Sequence, residues 1–164
     1  MAVVYENAGA RDLAIQMCDA VARNFMGDLD FEFSWWRFDY LANPEIAAQA
    51  ACAALRADLI LVCFAPETSG LPPGIKGWLE AWLARRADEG ALAVVGAPAL
   101  LNDTEPFLRL AAQSAHLDYL PLPGAAAALE IEDRLRDNRI SPDAPGFDSY
   151  SDEPYHSSGW GINE

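Results

Sequence analysis

Apolar and polar positions along this chain fall into two kinds of run that follow one another. Short apolar stretches of strand length stand at residues 2–5, 59–66 and 91–97, and a fifth segment of that length stands at 117–122. Continuous apolar runs of that size mark strands buried on both faces. Residues 31–36 differ: Phe31, Phe33 and Trp35 alternate with Glu32 and Ser34, which marks a half-covered strand. Longer segments with helical spacing lie between. The first is predicted over 11–25, with Leu13, Met17, Val21 and Phe25 on one stripe. The second starts at Asn43-Pro44-Glu45: a capping side chain, a proline at the first helical position and an acid in the first turn agree. The third runs from Pro73 to near Arg85-Arg86, where positive charge suits a helix end. Two more are predicted over 104–116 and 125–138.

Strands alternating with helices imply a parallel sheet with both faces covered. The fold class is therefore α/β, a three-layer α/β/α sandwich. The alternating strand belongs at an edge, which fits a five-stranded parallel sheet in the order 2-1-3-4-5. Residues 1–140 make this domain. Residues 141–164 are rich in Pro, Asp, Ser and Gly, yet carry Phe147, Tyr150, Tyr155, Trp160 and Ile162. Disordered tails hold few aromatics. This segment is expected to be a C-terminal arm, docked on its own domain or on a neighbouring subunit, in the sharper reading as a pocket lid.

Composition narrows the function. The chain has 164 residues, 52% of them hydrophobic, enough for a real core. Its formal charge is −14, with 25 acids against 11 bases. Nucleic-acid binding needs basic patches, so no nucleic-acid partner is expected. Anionic membranes should repel this surface, and no apolar run is long enough to span a bilayer. The N-terminus lacks a signal-peptide pattern, which places the chain in the cytoplasm. Cys18, Cys52 and Cys63 fall on three separate elements with no metal or redox spacing, so all three read as buried, reduced thiols and no metal is expected. His116 and His156 read as surface histidines. Trp78 and Trp82 share a helix face, either as core or as the centre of a homodimer interface. The arm is the other route to a homodimer.

Ligands of such sheets bind where strand ends meet loops and strand order reverses. That points to the loops after strands one, three and four. Signatures for dinucleotide, P-loop, zinc-protease and α/β-hydrolase chemistry are absent. Glu6 and Glu67 follow strands one and three. If they emerge side by side they are candidate catalytic residues, since two neighbouring carboxylates can act as acid and base. The other reading is two solvated loop acids.

The run Pro66-Glu67-Thr68-Ser69-Gly70-Leu71-Pro72-Pro73-Gly74-Ile75-Lys76 resembles a motif of the NADPH-dependent FMN reductases, a flavodoxin-like family. Pro66, Glu67, Gly70, Leu71, Pro72 and Lys76 match, and Ile75, Leu79 and Glu80 are conservative. The resemblance covers about 25 residues, plus the order of elements. It implies a small-molecule ligand, with FMN as the cofactor. It places Asn7, Gly9 and Arg11 at the phosphate, Pro66, Glu67, Thr68, Ser69 and Gly70 against the flavin ring, and Gly96 nearby. The chain departs from the family at Thr68 and Ser69, in a loop one residue shorter, and above all after strand one. There Glu6 and Asp12 stand in a loop that the family fills with Ser, Thr and Arg. Unit charges about 5 Å apart repel by on the order of 3 kcal/mol at an effective dielectric of 20. Trp35-Trp36-Arg37-Phe38 and the ending Trp160-Gly161-Ile162-Asn163-Glu164 also resemble a group of uncharacterised bacterial proteins, which brings no activity with it. Receiver domains share the strand order, but strand three ends Cys63-Phe64-Ala65-Pro66 without a phosphoacceptor Asp. The alternative function is therefore a non-catalytic, receiver-like interaction module.

Overall fold

The computed structural model describes residues 1–25 and 31–124. Five strands, β1 (Ala2–Tyr5), β2 (Ser34–Arg37), β3 (Leu59–Cys63), β4 (Gly90–Gly96) and β5 (Leu117–Pro123), alternate with helices α1 (Ala8–Phe25), α2 (Pro44–Arg56), α3 (Pro73–Leu83) and α4 (Pro98–Ser114). All strand pairs are parallel, and the sheet order is β2-β1-β3-β4-β5. This is the flavodoxin-like arrangement that the patterning implies.

Side chains alternate across each strand, and the two sets bury against different layers. Val4, Ile60, Val62, Leu92 and Val94 pack with Ala50 and Ala54 of α2, Trp78, Leu79 and Trp82 of α3, and Leu100 and Leu108 of α4. Val3, Leu61, Cys63, Ala93 and Val95 pack with Ala10, Ala14, Met17 and Cys18 of α1. The α2 helix can lie close because its buried positions are alanines.

Several boundaries differ from the sequence pattern, each for a local reason. Helix α1 starts at Ala8, not near Arg11, because Asn7 caps it: its side-chain oxygen accepts from the Ala10 N–H at 3.0 Å. The deepest stripe of α1 runs through Ala10, Ala14, Met17 and Cys18, while Leu13 and Val21 are only half-buried. Strand β2 is shorter than 31–36. It starts at Ser34, and Phe38–Ala42 form a 3-10 turn that the pattern did not predict. Helix α4 starts at Pro98, six residues before the expected start. Pro98 takes the first turn, and Pro106 sits inside the helix rather than opening it. The Thr104 hydroxyl turns back onto the Leu100 carbonyl at 2.7 Å. The expected Asn43 cap is present: its side chain accepts from the N–H groups of Glu45 and Ile46. The helix predicted over 125–138 and the arm at 141–164, with His156, lie outside the described residues.

Arg86 corrects a further expectation. It does not sit at the solvent end of α3, which stops at Leu83. It is buried, and its guanidinium donates to the Ala54 and Leu55 carbonyls at the end of α2 and to the Asp88 and Glu89 carbonyls before β4. A buried cation is tolerated when its donors are matched. Gly90 is required beside it: a Cβ there would stand 2.6 Å from the Asp58 carbonyl and 2.7 Å from an Arg86 nitrogen. Arg86 thus ties the N-terminal edge of the sheet together.

Trp78 and Trp82 belong to the protein's own core, with ring centroids 5.5 Å apart, and the Trp78 indole N–H donates to the Ala47 carbonyl. Neither offers a surface for a dimer through α3. Cys18 and Cys63 are buried as expected, but Cys52 is exposed on the outer side of α2. Among the described residues no helix is long and apolar enough to cross a membrane.

Candidate functional site

Glu6 is the first residue after β1, and it is the residue about which the C-terminal edge of the sheet is organised. Its N–H donates to the Cys63 carbonyl at 3.0 Å, continuing the β1–β3 pairing by one step. One carboxylate oxygen then accepts from the Ala65 N–H at 2.8 Å and from the Thr68 hydroxyl at 2.5 Å. Ala65 to Thr68 is a tight turn, closed by the Thr68 N–H on the Ala65 carbonyl at 3.0 Å. Pro66 occupies the second position of that turn, where its fixed φ is suited. A single acid therefore holds both ends of the β3–α3 turn.

Beside Glu6 lies a slot of about 290 Å³, walled by Phe38, Asp39, Leu41, Ala42, Pro72, Gly74 and Ile75 as well as Glu6. Its walls come from the 3-10 turn after β2 and from the start of α3. The 3-10 turn exists because Phe38 turns inward, its ring 5.2 Å from that of Phe64. Helix α3 begins with prolines, which need no partner for a missing N–H, and the Pro72 carbonyl accepts from both the Ile75 and Lys76 N–H groups. The side chains of the lining residues are apolar apart from those of the acids Glu6 and Asp39. Asp39 pairs at the exposed rim with Arg37 at 2.7 Å. Lys76 is directed to the Phe107 ring, 4.9 Å from its centroid.

The residues singled out from the sequence are distributed unevenly around this slot. Glu6 lines it, and Thr68 reaches Glu6. Asn7 is occupied as the α1 cap. Gly9 and Arg11 are exposed on the first turns of α1, and Pro66, Glu67, Ser69 and Gly70 are exposed along the turn. The hydrogen bonds of Glu6 run to Ala65 and Thr68, not to a group shared with Glu67. Gly96 is buried, and a Cβ there would stand 2.5 Å from a Leu100 methyl carbon, so its small size serves the β4–α4 packing. Phe38, Asp39, Leu41, Ala42 and Ile75 were not foreseen as site residues. Their signal was present: a five-residue, largely apolar connection between an edge strand and a firm helix cap must turn back onto the domain.

The buried thiols Cys18 and Cys63 lie together in the core layer between α1 and the sheet. Burial pushes Cys18 up to about 11, helped by the neighbouring Asp19 charge. Burial, with Cys18 next to it, pushes Cys63 up further. Both are poor nucleophiles. A broader hollow of about 960 Å³ lies at the opposite, N-terminal edge, between Phe31–Ser34, Arg56 and Leu59 among others. Among the described residues no cluster of His, Cys, Asp or Glu is arranged to hold a metal ion.

No family model and no curated protein matches the chain. Among solved structures it is similar to general stress protein 14 of Treponema denticola, in complex with FMN. That match has 19% identity and a TM-score of 0.40, over 83% of this chain and 93% of that one. It is also similar to the Trp repressor binding protein of Bacillus subtilis, at 11% identity and a TM-score of 0.46, over 87% of this chain and 98% of that one. The fold rests on the strand order and pairing described above, not on these likenesses.

Proposed function

We propose that this protein is a small-ligand binder built on a flavodoxin-like domain and diverged from the FMN-reductase pattern, and that its ligand enters the slot between Glu6, the 3-10 turn and the start of α3. One observation carries the reading. At the sheet edge where such domains bind ligands, a largely apolar slot opens beside a carboxylate whose hydrogen bonds to the described residues run through one of its two oxygens. Apolar walls with a few placed polar groups are the usual make-up of a small-molecule site.

The flavin reading is weaker than the site reading. Asn7 already takes the Ala10 N–H that a phosphate at the α1 start would use. A phosphate near Glu6 would also meet like charge, at about 3 kcal/mol per unit charge at 5 Å and an effective dielectric of 20. FMN is therefore expected to bind weakly, and a slot whose lining side chains are apolar apart from two acids suits another ligand better.

The site is tested by blocking it. Gly74 lines the slot, and a Cβ built there meets nothing within 4 Å. Gly74→Phe should therefore fold, with a small gain from helix propensity, and fill the slot. A fragment library of 10- to 15-atom compounds, screened by ligand-observed NMR at about millimolar concentration as suits ligands of that size, should give hits on the native protein that Gly74→Phe abolishes. Hits that survive the block would move the site elsewhere.

A further inference from the structure

We propose that the ligand of this slot is an organic cation, a small aromatic or alkyl amine whose ammonium meets Glu6 and whose apolar body lies against Phe38, Leu41 and Ile75. The inference rests on the slot being the binding site and specifies the chemistry that it selects. Three observations converge on it. First, both ionisable groups in the lining are acids, Glu6 and Asp39. Second, the cations nearest the lining along the chain are already engaged: Arg37 pairs with the lining's own Asp39 at the rim and offsets that charge, and Lys76 lies over the Phe107 ring, so Glu6 is the lining charge left for a ligand. An anionic ligand would thus meet no basic residue in the lining, whereas an ammonium would meet the Glu6 carboxylate. Third, the wall contains an aromatic ring, Phe38, held in place by its edge contact with Phe64. Aromatic faces attract ammonium groups, and the apolar walls recover the hydrophobic contribution of the ligand's body.

Hydrogen-bond supply points the same way. Two of the acceptor positions on Glu6 are filled by Ala65 and Thr68, and a carboxylate has about four. An ammonium is three donors with no acceptor, so it satisfies what is left without competing for the turn. The chain's formal charge of −14 adds a field that concentrates cations at the surface.

A matched set of probes separates charge from shape: 2-phenylethylamine, 2-phenylethanol and 3-phenylpropionate, with affinities read by titration NMR at low and at high salt. The amine should bind about tenfold more tightly than the alcohol, and the carboxylate should bind least. The amine's advantage should shrink between about 20 and 500 mM salt, because partly exposed charges are screened. Glu6→Gln should remove most of the amine's advantage. Because that substitution can also loosen the turn, Asp39→Asn serves as the second variant. It leaves the turn untouched and should reduce the advantage by roughly two- to threefold. If the alcohol or the carboxylate binds as well as the amine, and Gly74→Phe still abolishes that binding, the charge preference is overturned while the site stands. If none of the three binds in the slot, the site reading fails and the preference with it.

Discussion

The two edges of the sheet each carry one charged side chain among backbone groups, and the two are used differently. At the N-terminal edge Arg86 is buried, and its guanidinium donates to four carbonyls from two segments. At the C-terminal edge Glu6 is half-buried, and one oxygen accepts from one N–H and one hydroxyl. Arg86 is spent on structure. Glu6 holds a turn and keeps acceptor capacity beside an apolar slot. Burial and hydrogen-bond saturation, rather than charge itself, divide a fastening such as Arg86 from an acid that keeps capacity for a ligand, as the proposed site requires of Glu6.

The comparison can be broken most severely at Arg86. Arg86→Met leaves the carbonyls of Ala54, Leu55, Asp88 and Glu89 without their donor, and breaking such a buried network costs about 3 kcal/mol. Thermal unfolding should drop by roughly 10 °C, with no change in ligand preference. Gly90→Ala attacks the same edge by crowding and should cost about 2 kcal/mol in urea unfolding.

The buried thiols sharpen the comparison through pH. Cys18 is raised from 9.0 to about 11 in the folded state. Below pH 8 folded and unfolded chains both keep the proton, so the ionisation of this thiol does not alter stability there. Between pH 9 and 11 the unfolded chain releases it and the folded chain does not, so stability falls as pH rises. The loss approaches about 1.4 kcal/mol per pH unit, and Cys63 adds to it. Urea midpoints measured from pH 8 to 10.5 should fall, and Cys18→Ala should flatten the decline. At neutral pH a thiol reagent should label Cys52 quickly and the other two slowly.

Smaller effects belong to the open edge. Glu6→Gln keeps the shape but loses a charge-assisted pair of bonds, so it should cost about 1 kcal/mol and speed amide exchange at Ala65 and Thr68. Asp39→Asn at the exposed rim should alter stability by no more than about 0.5 kcal/mol. A larger loss from Asp39→Asn than from Glu6→Gln would reverse the roles assigned to them.

Much of the fold was legible in the sequence, because it depends on patterns that read locally. The uninterrupted runs at 59–63 and 91–95, the Asn43-Pro44-Glu45 start and the alternation before Trp36 identify the parallel sheet and its edge. Arg86 was not legible. A basic residue at the end of an amphipathic run looks like a helix terminator, and only the meeting of α2 with the segment before β4 shows otherwise. The place of the proposed slot was legible in part. Glu6 follows from the strand-end rule, and the β1–β3 adjacency was expected and found. The rest of the slot comes from the 3-10 turn, whose place over the sheet edge depends on Phe38 reaching Phe64. Contacts of that kind have no local sequence signature. Asn7 could serve a phosphate or a helix cap, and the chain uses it as the cap.

The most direct test of the account is an amide correlation spectrum of the native protein titrated with 2-phenylethylamine. Signals from Glu6, Asp39–Ala42 and Gly74–Ile75 should move together along one saturable curve, while those around Arg86 and Gly90 stay fixed. A spectrum in which the N-terminal edge moves and the slot does not would contradict it.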